Sequence, residues 1–176
     1  MLNQNHFELF ELPASFAIDL AQLDRHYRKL QSDVHPDRFA AGSSAERLRS
    51  MQLATHVNEA YHTLKSPIDR ARYLLQLNGV DTQEETNTAM PAAFLMQQME
   101  WREAIEEGRS ARDIDALDAL LKELRHAATA LAAELHDSLD RQHDYARAAE
   151  AVRKLRFLDK VRDEIERALD GLEDNL

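Results

Sequence analysis

Residues 19–64 read DLAQLDRHYRKLQSDVHPDRFAAGSSAERLRSMQLATHVNEAYHTL. From Asp19 onward Leu20, Leu23, Tyr27, Leu30 and Val34 recur at spacings of three and four, which lays one apolar stripe along a helix. Asp19 with Gln22 reads as the capping box of that helix. The helix is expected to stop at Val34 or His35, because a residue before proline is pushed out of the helical region and Pro36 has no N–H to donate. A loop from Pro36 to Gly42 follows. Ser43 with Glu46 reads as the capping box of a second long helix, whose stripe is Leu48, Met51, Ala54, Val57, Tyr61 and Leu64. Two helices joined by so short a loop should pack as an antiparallel hairpin, with His35-Pro36-Asp37 at its tip.

Working outward, Pro67 suits the first turn of a third helix through Ala71, Leu74 and Leu75 that ends near Gly79. The stretch GVDTQEETNTAM, residues 79–90, is polar and aperiodic and reads as a linker. Pro91 should open a helix ending near Gly108. A longer one carries Leu117, Leu121, Leu124, Ala128, Leu131 and Leu135, and Asp144 begins the last, with Ala148, Val152, Leu155, Leu158, Ile165, Leu169 and Leu172. No strand pattern competes. The expected fold is therefore all-α: an N-terminal helical hairpin unit over 1–78, a linker over 79–90, and an antiparallel three-helix bundle over 91–176.

Composition narrows the function. With 31% charged residues among 176 and no apolar run near the roughly 20 residues a span needs, no bilayer-crossing helix is expected. The first residues carry no basic cluster ahead of an apolar block, so a cytoplasmic protein without a secretory signal is expected. The absence of cysteine removes thiolate zinc sites, cysteine nucleophiles and the usual iron–sulfur ligands. The net charge of -10 argues against general nucleic-acid binding. Residues 1–78 hold nine acidic and nine basic side chains, so the whole excess lies in 79–176, with 23 acidic and 13 basic. A neutral half and an acidic half suggest two surfaces for two partners.

The tripeptide His35-Pro36-Asp37 lies in a hairpin loop, follows Tyr27-Arg28-Lys29-Leu30 and precedes Asn58-Glu59-Ala60-Tyr61-His62-Thr63-Leu64; in this arrangement residues 5–76 resemble a J-domain. The resemblance implies docking on a DnaK-like chaperone and stimulation of its ATP hydrolysis. In the loop, Pro36 fixes the helix exit, Asp37 offers a carboxylate for two-pronged recognition by an arginine, and His35 adds a polar contact. The plain alternative is a helix stop, with His35 favourable at a helix C-terminus and Asp37 a turn residue. At about 100° per residue, Arg25, Arg28 and Lys29 share the side of the first long helix opposite its stripe. The resemblance implies that this basic face, with Arg38 beside it, steers an acidic partner; otherwise it is a solvated face. Ser32, Asp33 and Val34 depart from the basic or aromatic residues often found before the tripeptide, and Arg38 from a frequent lysine.

The helix after Pro91 poses a second question. Phe94, Trp101 and Ile105 project to one side of it, while Leu95, Met96 and Met99 lie across, together with Glu100, Glu103 and Glu107. A bundle helix needs one apolar face, so the other must be covered by a partner or by the N-terminal unit of the same chain. Phe157 projects about 120° from the centre of the last helix's stripe. Its segment Lys154-Leu155-Arg156-Phe157-Leu158-Asp159-Lys160, with Ala93-Phe94-Leu95-Met96, Arg70-Ala71-Arg72-Tyr73-Leu74-Leu75 and Leu9-Phe10-Glu11-Leu12-Pro13, resembles the bacterial HscB family of co-chaperones over nearly the full chain. The resemblance implies a partnership with the chaperone HscA, delivery to it of the iron–sulfur scaffold IscU, and a scaffold-binding patch of Leu95, Met96, Met99, Glu100, Glu103, Glu107 and Phe157. The cluster would then belong to the scaffold, and no cofactor or metal is expected here.

Rival readings fare worse. A general DnaJ-type chaperone carries a Gly/Phe-rich segment and cysteine zinc repeats, which four glycines and no cysteine exclude. An enzyme would have to pair His35 with Asp37 or gather histidines, yet His56 and His62 are six apart and His126 and His136 ten, off the same-face spacing of a helix-borne zinc motif. A helical adaptor without chaperone-ATPase stimulation remains the alternative.

Overall fold

The structure, a computed structural model, describes residues 1–87 and 89–173; Thr88 and residues 174–176, which the expected linker and last helix include, lie outside them. Among the described residues every regular element is helical and none is a strand. The chain divides into two compact units, Met1–Gly79 and Val80–Leu176.

The first unit holds α1 (His6–Leu9), α2 (Leu20–Val34), a 3₁₀ turn (Pro36–Phe39), α3 (Ser44–Lys65) and α4 (Pro67–Leu77). Helix α2 stops at Val34, where Pro36 removes the next donor. The Asp19 side chain accepts from the Gln22 N–H at 3.0 Å, but the Gln22 amide donates to the Glu11 carbonyl and so leaves the capping box half made. Ser43 and Glu46 complete theirs reciprocally. Rungs of falling number on α2 meet rungs of rising number on α3, which makes the pair antiparallel. Ser50 Oγ donates to the Val34 carbonyl at 2.7 Å, the Tyr27 and Tyr61 rings stack 3.8 Å apart, and Asp24 accepts from Tyr61 Oη at 3.0 Å and Lys65 Nζ at 2.7 Å. The hydrogen bond from Lys65, then that from Tyr61, holds the Asp24 carboxyl below its usual range.

The predicted α3 stripe fails at its start. Leu48 and Met51 are 58% and 57% exposed, and Ser50 is buried in their place. The reason lies at the end of α2: its last turn leaves carbonyls without intrahelical partners, and the hydroxyl of Ser50 satisfies one of them in a dry position where leucine could not. At the other end Gly79 closes α4 at φ 73°, which glycine adopts without strain. Phe7, Phe10, Leu23, Val57, Leu64 and Leu75 are fully buried.

Against this core His6 stacks on Tyr73 at 4.2 Å, with the His56 ring 5.6 Å away. Burial, and then the charge of His56, lower the His6 pKa below 6.5, against a smaller upward pull from Glu59. The folded state therefore binds a proton less readily than the unfolded chain. The stability this contributes is complete above about pH 6.5 and is lost as pH falls below it. Thermal unfolding should show wild type losing more stability between pH 7.5 and 5.5 than His6→Phe, which keeps the ring but cannot titrate; equal losses would remove His6 as the cause.

The second unit is a bundle of α5 (Ala92–Ala111), α6 (Ile114–Leu135) and α7 (Tyr145–Glu173), each packed on the other two. Pro91 sits just before α5 as its cap, and Asp144 accepts from the Arg147 N–H at the start of α7. A wide π turn, His136–Arg141, extends α6 and keeps Ser138 and Leu139 inside. Residues 80–87 belong to this unit: Thr82 is buried and its backbone carbonyl accepts from Arg153 Nη1 at 3.1 Å. Helix α5 runs past Gly108 to Ala111, with Arg112 in the left-handed region as its cap. Gly108 is a packing residue, since a Cβ there would sit 2.9 Å from Leu117 Cδ2 and 3.1 Å from Leu117 Cγ, on a side chain with no exposure. Gly108→Ala gains about 1 kcal/mol of helix propensity but overpacks at a cost of about 1–3 kcal/mol. Its denaturation midpoint should fall; a rise would mean that Leu117 yields freely.

Candidate functional site

Two regions gather the residues singled out from the sequence. At the hairpin tip, proline geometry turns the chain sharply, and the His35 Nδ1 accepts from the Asp37 N–H at 3.2 Å. The His35 ring and Asp37 carboxylate are 3.6 Å apart, with side chains 57% and 91% exposed. Arg38 folds back on the end of α2, donating to the Ser32 carbonyl at 3.4 Å and pairing with Asp33 at 3.1 Å. Those unusual residues before the tripeptide thus hold the loop from behind. A groove of about 790 Å³ beside the tip is lined by Arg28, His35, Pro36 and Arg38, with Ala54 and Asn58 from α3. Arg25, Lys29 and Asp37 lie outside it, all exposed. Asn58 entered the sequence reading only as part of the J-domain-like segment and not as a site residue; its Oδ1 accepts from Tyr27 Oη at 2.9 Å, which holds it there.

The second region lies on α5 and α7. Trp101 and Ile105 are buried, and the Trp101 indole donates to Glu123 at 2.8 Å. Across the helix Leu95, Met96 and Met99 are 43%, 63% and 65% exposed, flanked by exposed Glu100, Glu103 and Glu107. Two opposed apolar faces on α5 are therefore present as expected. Phe157 is half-buried, not a lone surface ring: it packs edge-on against Phe94 at 5.9 Å, and Arg102 lies over it at 5.6 Å. Phe94 in turn meets Trp101 edge-on at 6.3 Å and carries Lys154 above it. The aromatic row ties the patch to the bundle core. Leu95 and Phe157 share a groove of about 520 Å³, whose other walls include Met90, Arg153, Arg156 and Lys160; Met96, Met99 and the three glutamates do not line it. Of the basic side chains, Arg156 and Lys160 entered the sequence reading only inside the segment that carries the family resemblance, and none was named as a site residue, because the acidic total of this half concealed a local cationic run on α7.

Among the described residues no group of acidic, histidine or cysteine side chains could hold a metal ion, and no helix is long and apolar enough to cross a membrane. Among the described residues, neither region shows a hydrogen-bonded pair of nucleophile and base in a cleft. What the geometry provides is two exposed surfaces, a charged hairpin tip on one unit and an apolar face flanked by glutamates on the other.

Comparison with known proteins gives that arrangement its class. Residues 90–166 match the family model described as the HSCB C-terminal oligomerisation domain. A protein of Burkholderia multivorans named "Co-chaperone protein HscB homolog" is 55% identical over 172 residues, 98% of each chain. The solved structure of the chaperone HscB from Vibrio cholerae superposes with a TM-score of 0.85 at 39% identity, covering 96% of this chain and 99% of its own. That of the human co-chaperone HscB gives 0.88 at 30% identity, covering 94% and 82%. These are similar proteins, and their common class is the helical co-chaperone. The chain belongs to the HscB co-chaperone family.

If the exposed side chains serve recognition and not folding, removing them should leave stability nearly intact. Asp37→Asn, Met96→Ala and Met99→Ala should each shift the unfolding free energy by no more than about 0.5 kcal/mol. A loss above about 1 kcal/mol in denaturant titration would make that residue structural.

Proposed function

We propose that this co-chaperone stimulates the ATPase of a DnaK-like chaperone of the HscA type and presents to it an iron–sulfur scaffold of the IscU type. The observation that carries the reading is the tip of the first unit: a nearly bare Asp37 carboxylate, beside the His35 ring, at the mouth of a groove edged by Arg28 and Arg38. Such a carboxylate offers an arginine of the chaperone a bidentate, charge-assisted contact. Arg25, Arg28 and Lys29 are exposed on the adjoining helix, where cations raise the encounter rate with an acidic surface and fix its orientation. The chemistry of ATP hydrolysis stays with the chaperone.

On the second unit the exposed Leu95, Met96 and Met99, with Phe157 beside Leu95 and a rim of Glu100, Glu103 and Glu107, form the scaffold-binding surface. Exposed methionines suit a client groove because their side chains adapt to it. Holding both partners on one chain raises the client's effective concentration beside the chaperone. The first half is tested by ATP turnover of the chaperone: wild type should accelerate it, and His35→Gln or Asp37→Asn should lose about tenfold or more of that effect, the cost of one charge-assisted contact. The second half is tested by pulldown of the scaffold with Leu95, Met96 and Met99 changed to alanine. Capture should fail while client-free ATPase stimulation persists; unchanged capture would remove the patch.

A further inference from the structure

The last helix carries a cationic stretch inside an acidic unit. Residues 153–162 hold Arg153, Lys154, Arg156, Lys160 and Arg162 against a single acid, Asp159. Three of the five are engaged. Arg153 donates to the Thr82 carbonyl at 3.1 Å, Lys154 pairs with Glu150 at 2.9 Å, and Arg162 pairs with Asp159 at 3.0 Å and Asp163 at 3.2 Å. Arg156 and Lys160 are exposed and, among the described residues, have no ion-pair partner, although Glu84 and Glu85 line the same groove.

Their placement is costly when unanswered. Positions four apart share a helix face, so these two like charges repel each other, and an i, i+4 like pair is unfavourable where an opposite pair would help. Both line the groove that Leu95 and Phe157 share, and Phe157 follows Arg156 directly. On the α5 side Glu100, Glu103 and Glu107 are exposed and also have no ion-pair partner among the described residues, with Glu103 and Glu107 again four apart. The apolar centre is thus bordered by unpaired cations on α7 and unpaired carboxylates on α5. A surface of one sign would attract a partner in any rotation about the apolar contact. A surface of two signs admits one orientation and penalises its reverse, because like charges would then be juxtaposed.

We infer that Arg156 and Lys160 form a cationic edge of the client site that receives carboxylates of the scaffold and sets the direction in which it docks. The inference rests on the client reading of this face and adds to it two residues, the chemistry of their counterpart, and a polarity. The groove's cations are answered by the client's acids, while α5's glutamates face its bases.

Titration of the full-length chain against purified IscU-type scaffold separates the two levels. At low salt Arg156→Glu/Lys160→Glu should bind about tenfold more weakly, and the charge-neutral Arg156→Gln/Lys160→Gln about threefold, as expected for two rim contacts. The loss should fall mainly on the association rate and shrink toward nothing near 0.5 M salt, where screening reaches only about 4 Å. The loss in the Leu95, Met96, Met99 alanine variant should persist there. Circular dichroism matching wild type confirms that the charge variants are folded. Wild-type affinity in the reversed variant, with the alanine variant weakened, overturns the cationic edge and leaves the client face standing. A salt-independent loss also overturns it, since the change would then act through packing. Full binding by the alanine variant removes the client reading itself, and this inference with it.

Discussion

The first unit depends on the end of α2. Pro36 denies the helix its next donor and sends the chain out at His35, so the last carbonyls of α2 need partners from elsewhere. The buried hydroxyl of Ser50 satisfies the carbonyl of Val34 at 2.7 Å, and Arg38 reaches back to that of Ser32. These bonds anchor the tip to the body of the hairpin. Farther down, the Tyr27–Tyr61 stack and the Asp24–Lys65 pair hold the two helices in register. A loop fixed at both ends can project a carboxylate into water at little conformational cost, which is what recognition by another protein needs.

The second unit solves a different problem, that of one helix with two apolar faces. Trp101 and Ile105 commit one face of α5 to the bundle, and Leu117 closes on Gly108 to bring α6 near. The other face stays open. Phe157 belongs to both regions, since its ring touches Phe94, which touches Trp101, and it also lines the groove with Leu95. An apolar patch supported from beneath by a row of packed rings is held in place before a partner arrives, which reduces the ordering cost of association.

Helix limits and most core positions were legible in the sequence because the apolar period is strong and proline and capping residues punctuate it. Val34, Ser43 and Asp144 all mark boundaries that the structure shares. Three departures share one cause, a side chain used for a purpose that periodicity does not encode. Ser50 is buried to satisfy a carbonyl, so Leu48 and Met51 face solvent. Gly108 serves helix packing and does not end α5, and Gln22 bonds to Glu11 in place of its own cap. At the candidate sites the exposed tip and the open face of α5 could be read from spacing. The half-burial of Phe157 could not, because α7 packs against two helices and buries a wider arc than one stripe suggests. Nor could the unpaired Arg156 and Lys160, since pairing is a property of neighbours in space.

The central claim is that both surfaces act on one chain, and complementation tests it most directly. Chaperone ATP turnover in the presence of scaffold would be measured with wild type, and then with an equimolar mixture of Asp37→Asn and the Leu95, Met96, Met99 alanine variant. Each molecule in the mixture keeps one surface and lacks the other. The account predicts that the mixture falls well short of wild type, because no single chain can hold chaperone and client together. Turnover equal to wild type would contradict it and show that the two surfaces work independently.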